Sequence, residues 1–133
     1  MSALGFLIGR IALVAIFPIS GYFKVMQWPA IAGVLEEAGI PYSMPVAAAG
    51  VAAEFILPLL ILIGWQTRLA AFGLIVFTAV ATYLGHQFWA VPAEQFFGQF
   101  VHFLKNMAII GGLLVLASVG PGPWAVSPHR AKD

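Results

Sequence analysis

In the stretch "HFLKNMAIIGG", which opens an otherwise apolar segment, His102, Lys105 and Asn106 stand at i, i+3 and i+4. On a helix these three share one face, and Gln99 extends it by a turn. An ammonium, an imidazole and an amide at one depth can hold an anion or a carbonyl group. Lys24 and His86 close two other apolar segments at the same expected level, with Thr82 and Tyr83 one turn below His86. The sequence therefore predicts a polar pocket of Lys24, Tyr83, His86, His102, Lys105 and Asn106, roofed by "QWPAIAGVLEEAG". Its cations exceed its acids unless Glu36, Glu37 or Glu94 fold in, so a quinone headgroup, a small oxyanion or a lipid phosphate would suit it. The plainer alternative is that each long side chain snorkels separately to the headgroups.

Arg10 and Glu54 form the second expectation. Arg10, Phe17, Gly21 and Lys24 fall on one helical stripe, with Arg10 and Lys24 about 21 Å apart along the axis. Glu54 lies near the middle of another apolar run. Counted from their ends, Arg10 is ~9 Å and Glu54 ~15 Å deep, a gap an arginine side chain can bridge. An intramembrane Arg10–Glu54 ion pair is expected, either fixing helix registry or serving as a proton- or ligand-handling carboxylate. Unpaired charge at that depth costs ~2.5–3.5 kcal/mol even on a lenient scale.

Other chemistries fare worse. With no cysteine, the chain has no disulfide, thiolate nucleophile or CxxC pair. His86, His102 and Glu94 make a two-His-one-carboxylate set on paper, but they follow no fixed spacing, and Lys24 and Lys105 would repel a cation. No metal or haem is expected. Neither a phosphate loop, a nucleophile elbow nor a metalloprotease signature occurs.

These residues need elements to hold them. Of the 133 residues, 62% are hydrophobic and 8% charged, against about 45–50% and about 25% in soluble domains. So short a chain cannot hide that much apolar surface from water. The bilayer is the expected solvent. The net charge of +1 and the lack of a basic run give no sign of a nucleic-acid partner. Four segments suffice to span, at about 3–25, 44–64, 67–88 and 101–119. The first reads as a retained span, since its arginine sits inside the apolar run. Pro18 and Pro58 fall inside spans one and two, and each marks a kink.

The expected fold is all-α: a single integral membrane domain over 1–133, a four-helix bundle with a short interfacial helix between spans one and two. Pro29 would start that helix, and Gly39 with Pro41 would end it. The short turn at Gln66 makes spans two and three an antiparallel hairpin. "WAVPAEQFFGQF" reads as an interfacial connection, Trp28, Trp65, Trp89 and Trp124 as an aromatic belt, and Gly111-Gly112 as a close-packing pair. Gly120 and Pro121 stop span four ahead of a short polar tail. An even number of spans puts both ends on one side, with Arg68, Arg130 and Lys132. Glu36, Glu37 and Glu94 lie opposite, with Lys24 at the margin, so both termini are expected in the cytoplasm.

The segments "GRIALVAIFPISGYFKV", "AAEFILPLLILIGWQTRLAA", "HFLKNMAIIGGLLVL" and "GPGPW" resemble the DoxX family of small four-span bacterial inner-membrane proteins. The likeness covers nearly the whole chain. The family's polar positions correspond to Arg10, Ser20, Gly21, Lys24, Glu54, Arg68, Lys105 and Asn106. The tail departs, since Pro123, Trp124 and Ala125 intervene before Ser127. The resemblance implies a bacterial inner-membrane protein with a redox association, because the family is named for a subunit of a quinone-linked enzyme. The leading expectation is thus a membrane subunit or anchor of a quinone-linked redox system, with a redox partner protein or a second copy as its company. A non-catalytic scaffold and a small transporter or lipid-binding protein stay open beside it.

Overall fold

The computed structural model describes residues 2–127. It is all-helical among those residues, with four helical segments long and apolar enough to cross a membrane. Span one is two helices, α1 (Ala3–Val14) and α2 (Ile16–Met26). Ser2 caps α1, its hydroxyl accepting from the Gly5 N–H at 3.2 Å. The break at Ala15 follows from Pro18, which has no N–H for the Val14 carbonyl and whose ring crowds it. The short helix α3 (Trp28–Glu37) has Pro29 in its first turn, as expected. It ends at Gly39, where the Gly39 and Ile40 N–H groups bond back to Glu36 and Leu35.

Spans two and three are α4 (Ser43–Ile63) and α5 (Thr67–Gly85). Pro58 does not interrupt α4; it only deprives the carbonyl four residues back, that of Glu54, of its helical partner. Span four is α6 (Ala93–Val119), which begins eight residues earlier than its apolar run. The supposed interfacial connection is thus largely helix. Pro92 takes the N-cap position without a side-chain cap, and Glu94 stands in the first turn, where an acid favours the helix start. At 27 residues α6 is roughly 40 Å long, more than the ~30 Å hydrocarbon. Its surplus turns carry Phe96 and Phe100, which pack around Phe88 in an aromatic cluster.

Packing creates the site. Val14, Phe17, Ile61, Ala70, Ala71, Leu74, Leu113 and Leu116 form the buried core. In lipid such a core is held by close van der Waals fit, for which small residues are useful. Of the glycine pair only Gly112 works this way: a Cβ there would sit 2.9 Å from Leu13, while Gly111 faces open space. So α1 approaches α6. Beyond the break, α2 packs on α3 and α4 and keeps its backbone away from α5 and α6. Pro18 therefore opens a gap in the half of the bundle that holds α2.

The described part of the tail is not a loose polar end. After α6, residues 121–127 fold back as a strap. The Val126 N–H donates to the Ile63 carbonyl at 3.0 Å and the Ser127 N–H to the Gly64 carbonyl at 3.2 Å. Arg130 and Lys132, used above for orientation, lie outside the described residues.

Candidate functional site

The gap is a cavity of about 600 Å³ that all of α2 to α6 help to line. Its walls are largely apolar, with Phe17 and Phe77 in edge-to-face contact and Val34 and Leu35 of α3 above. Ile19 and Val80, which line it, are more than half exposed on the flank that faces lipid.

The central polar feature is an ion pair between Lys24 and Glu54. The Lys24 ammonium donates to both oxygens of Glu54 at 2.8 Å. The carboxylate is 2% exposed and the lysine 27%. Two facts of chain geometry make the pair. Gly21 brings α2 onto α4, its missing Cβ leaving room for Phe55 at 2.9 Å and the Glu54 Cβ at 3.3 Å. Helical side chains lean toward the N-terminus, so Lys24, one turn further on, reaches back to Glu54. The ammonium also lies 5.0 Å from the centre of the Phe77 ring, a favourable cation–π placement.

The expected Arg10–Glu54 pair is therefore wrong. Arg10 leaves α1 before the break and turns to the far end of α4, where its Nη2 donates to the Trp124 carbonyl at 2.9 Å. Depth counted from span ends misled because the two ends used, the start of α1 and the end of α4, are not flush: Arg10 Nη1 lies beside Gly64, just past the last turn of α4. Gly21, not Arg10, lies level with Glu54.

Of the six residues predicted for the pocket, Lys24, His86, Lys105 and Asn106 line the cavity. Tyr83 does not: it is 64% exposed on the opposite face and contacts Trp89. His102 also stands outside the lining. Its ring stacks on His86 at 4.9 Å between centres, and its Nδ1 lies 3.2 Å from the Lys105 ammonium. His86 is tied by Nδ1 to the Gln99 amide oxygen at 2.8 Å. No cluster of three metal-ligating side chains occurs among the described residues. Glu36, Glu37 and Glu94 are all exposed.

A buried hydroxyl chain supports the wall. The Asn106 amide donates to Thr82 at 2.9 Å, and Thr82 donates to the Thr78 carbonyl at 2.6 Å. The Thr78 hydroxyl, buried on the cavity wall, has no partner among the described residues. Phe77 and Thr78 were missed from sequence. Their signal was a position a little over two turns inside His86 on α5, where an aromatic ring and a hydroxyl sit in a mostly aliphatic run. Replacing Thr82 by Val should strand the Asn106 amide and cost about 1 kcal/mol. Thermal unfolding in detergent checks this, with Tyr83→Phe expected to be silent.

The cavity thus offers an apolar body and a few hydrogen-bond donors at mid-depth, with a side open to lipid. Its shape and chemistry suit an amphipathic guest that arrives through the bilayer. The DoxX family model matches residues 5–87. Inner membrane protein YphA of Escherichia coli K12 is 35% identical over 124 residues, covering 93% of this chain and 87% of that protein. Inner membrane protein YqjF of the same organism is 30% identical over 123 residues, covering 92% and 88%. A Surfeit locus protein 4 homolog of Schizosaccharomyces pombe matches more locally, 33% identical over 73 residues, or 53% of this chain and 24% of that protein. No solved structure gives a significant match.

Proposed function

The chain belongs to the DoxX family and is a multi-pass membrane protein, and from that premise we propose that it binds a membrane-borne quinone as a subunit or anchor of a redox system. The observation that carries this reading is the Lys24–Glu54 pair on the wall of an apolar, lipid-accessible cavity. A quinone has a flat apolar ring, carbonyl acceptors and a long tail. The ring fits against Phe17 and Phe77, and the tail leaves past Ile19 and Val80. Lys24 spends two of its three N–H bonds on Glu54, so one remains for a guest carbonyl. Lys105 and the Thr78 hydroxyl are further donors. Glu54 holds the ammonium in place and neutralises it, which favours a neutral carbonyl guest over an anion.

The test is a titration of the purified protein with a decyl-tailed benzoquinone, read by quenching of intrinsic fluorescence. Wild type should saturate. Gly50→Leu should weaken binding about tenfold or more. It fills the space between α4 and Phe77, where a Cβ at Gly50 would be 3.6 Å from the ring. Quenching that rises linearly in both proteins, as for simple partition into detergent, would end the reading.

The relatives' names suggest the bacterial inner membrane, with both chain ends in the cytoplasm by the placement of Arg68, Arg130 and Lys132. A chain without cysteine makes this easy to check. In intact cells a membrane-impermeant maleimide should label Gln87→Cys and spare Gln66→Cys; the reverse pattern inverts the topology.

A further inference from the structure

Arg10 shares no residue with the cavity, and the quinone reading does not use it. Its side chain is 1% exposed, among the most buried in the molecule. A guanidinium carries five N–H donors. One nitrogen, Nη2, donates to the Trp124 carbonyl; Nε and Nη1 are buried without a partner among the described residues. Glu54 is committed to Lys24, and among the described residues no carboxylate reaches Arg10. The C-terminal end of α4 gives partial relief, since Nη1 lies beside Gly64, just past its last turn. A helix end supplies roughly half a negative charge, and the orphaned donors still need acceptors.

We propose that Arg10 is the anchor of a second binding site, which takes one phosphate or carboxylate group under the strap of residues 121–127. The planar fork of an arginine matches the two oxygens of such a group; Nε or Nη1, paired with the second N–H of Nη2, is the fork left over for it. The strap is the lid. Two backbone hydrogen bonds to Ile63 and Gly64 hold it. Gly122 lies against the Phe6 ring and Ala125 against Gly64. Lifting residues 124–125 uncovers the guanidinium, and Trp124 stands where it must report that movement.

The group can belong to an anionic phospholipid or to a free anion, and one experiment separates them. A full-length variant with Trp28, Trp65 and Trp89 changed to Phe keeps Trp124 as its single tryptophan. In neutral detergent it is titrated with sodium phosphate, with phosphatidylglycerol, and with phosphatidylcholine and sodium chloride as controls. Saturable change with phosphatidylglycerol alone identifies a lipid headgroup; saturation with inorganic phosphate as well identifies a free-anion site. Arg10→Lys keeps the charge but loses the fork, and should weaken either response about tenfold or more. Native mass spectrometry of wild type, which needs no variant to fold, should show the retained phosphate or lipid. The proposal is overturned if no anion saturates and none is retained. It is equally overturned if Arg10→Lys binds as tightly as wild type, or if a high-resolution map places only water on Nε and Nη1.

Discussion

Lys24→Met should be among the most damaging single substitutions in this protein, and clearly worse than Glu54→Gln. Removing the lysine leaves a carboxylate that is 2% exposed, in a helix interior, with no other cation on it among the described residues. Breaking a buried pair from one side costs about 3–5 kcal/mol. In a chain of this size that lowers the melting temperature by roughly 10 °C or more. Removing the acid instead leaves a lysine that is 27% exposed and near the end of α2. Its flexible stem can carry the ammonium to the headgroups, so the loss should be about 1–2 kcal/mol. The double variant Lys24→Met/Glu54→Leu removes both charges and keeps the volume. Apolar replacements of buried ion pairs are often neutral or stabilising, so it should melt near wild type. Size-exclusion profiles and thermal unfolding in one detergent check all three variants. Equal losses for the two single changes would mean that the carboxylate is less buried than the structure has it.

Gly64→Ala should be the next most severe change, for a reason of backbone rather than charge. Gly64 has φ 74°, and an ordinary residue in that left-handed region costs about 1–2 kcal/mol. The added methyl would also overlap the Ala125 Cβ and stand 2.6 Å from Arg10 Nη1 and 2.8 Å from the Ala125 Cα. The last of these is backbone and cannot rotate away. Overpacking of this kind costs about 1–3 kcal/mol, for a total of about 2–5 kcal/mol. The cheapest escape is release of the strap. Amide hydrogen exchange at Val126 and Ser127 should therefore accelerate by about tenfold or more in the variant. Unchanged protection there would show that the strap does not depend on its seat at Gly64.

Residue types carried most of the fold. The apolar runs, the Gln66 turn and the Pro29-to-Gly39 bracket of α3 place the helices within a few residues, because chain length in a bilayer leaves few options. Pro18 announced the break at Ala15. The start of α6 was misplaced because hydropathy marks the hydrocarbon, not the helix, and Pro92 with Glu94 marked the helix. The site was half legible. The types of Lys24, His86, Lys105 and Asn106 gave them away, since ionisable groups in lipid turn inward. Partner choice was not legible. Lys24 wins Glu54 over Arg10 through the register set by Gly21 and the break in span one, which no spacing within one helix encodes. The strap was illegible for a related reason. Its contacts join residues 122–127 to Phe6, Arg10 and Ile63, a long way off in sequence.

The central claim is that the Lys24–Glu54 pair makes this cavity a site for a carbonyl-bearing guest and is not merely a registry device. The Lys24→Met/Glu54→Leu variant isolates that claim, because it should keep the fold and the apolar walls while losing the donor. Titrated with the decyl-tailed benzoquinone beside wild type, it should bind about tenfold or more weakly, the worth of a charged hydrogen bond. A folded double variant with wild-type affinity would contradict the account and leave the ion pair as a fastener between α2 and α4.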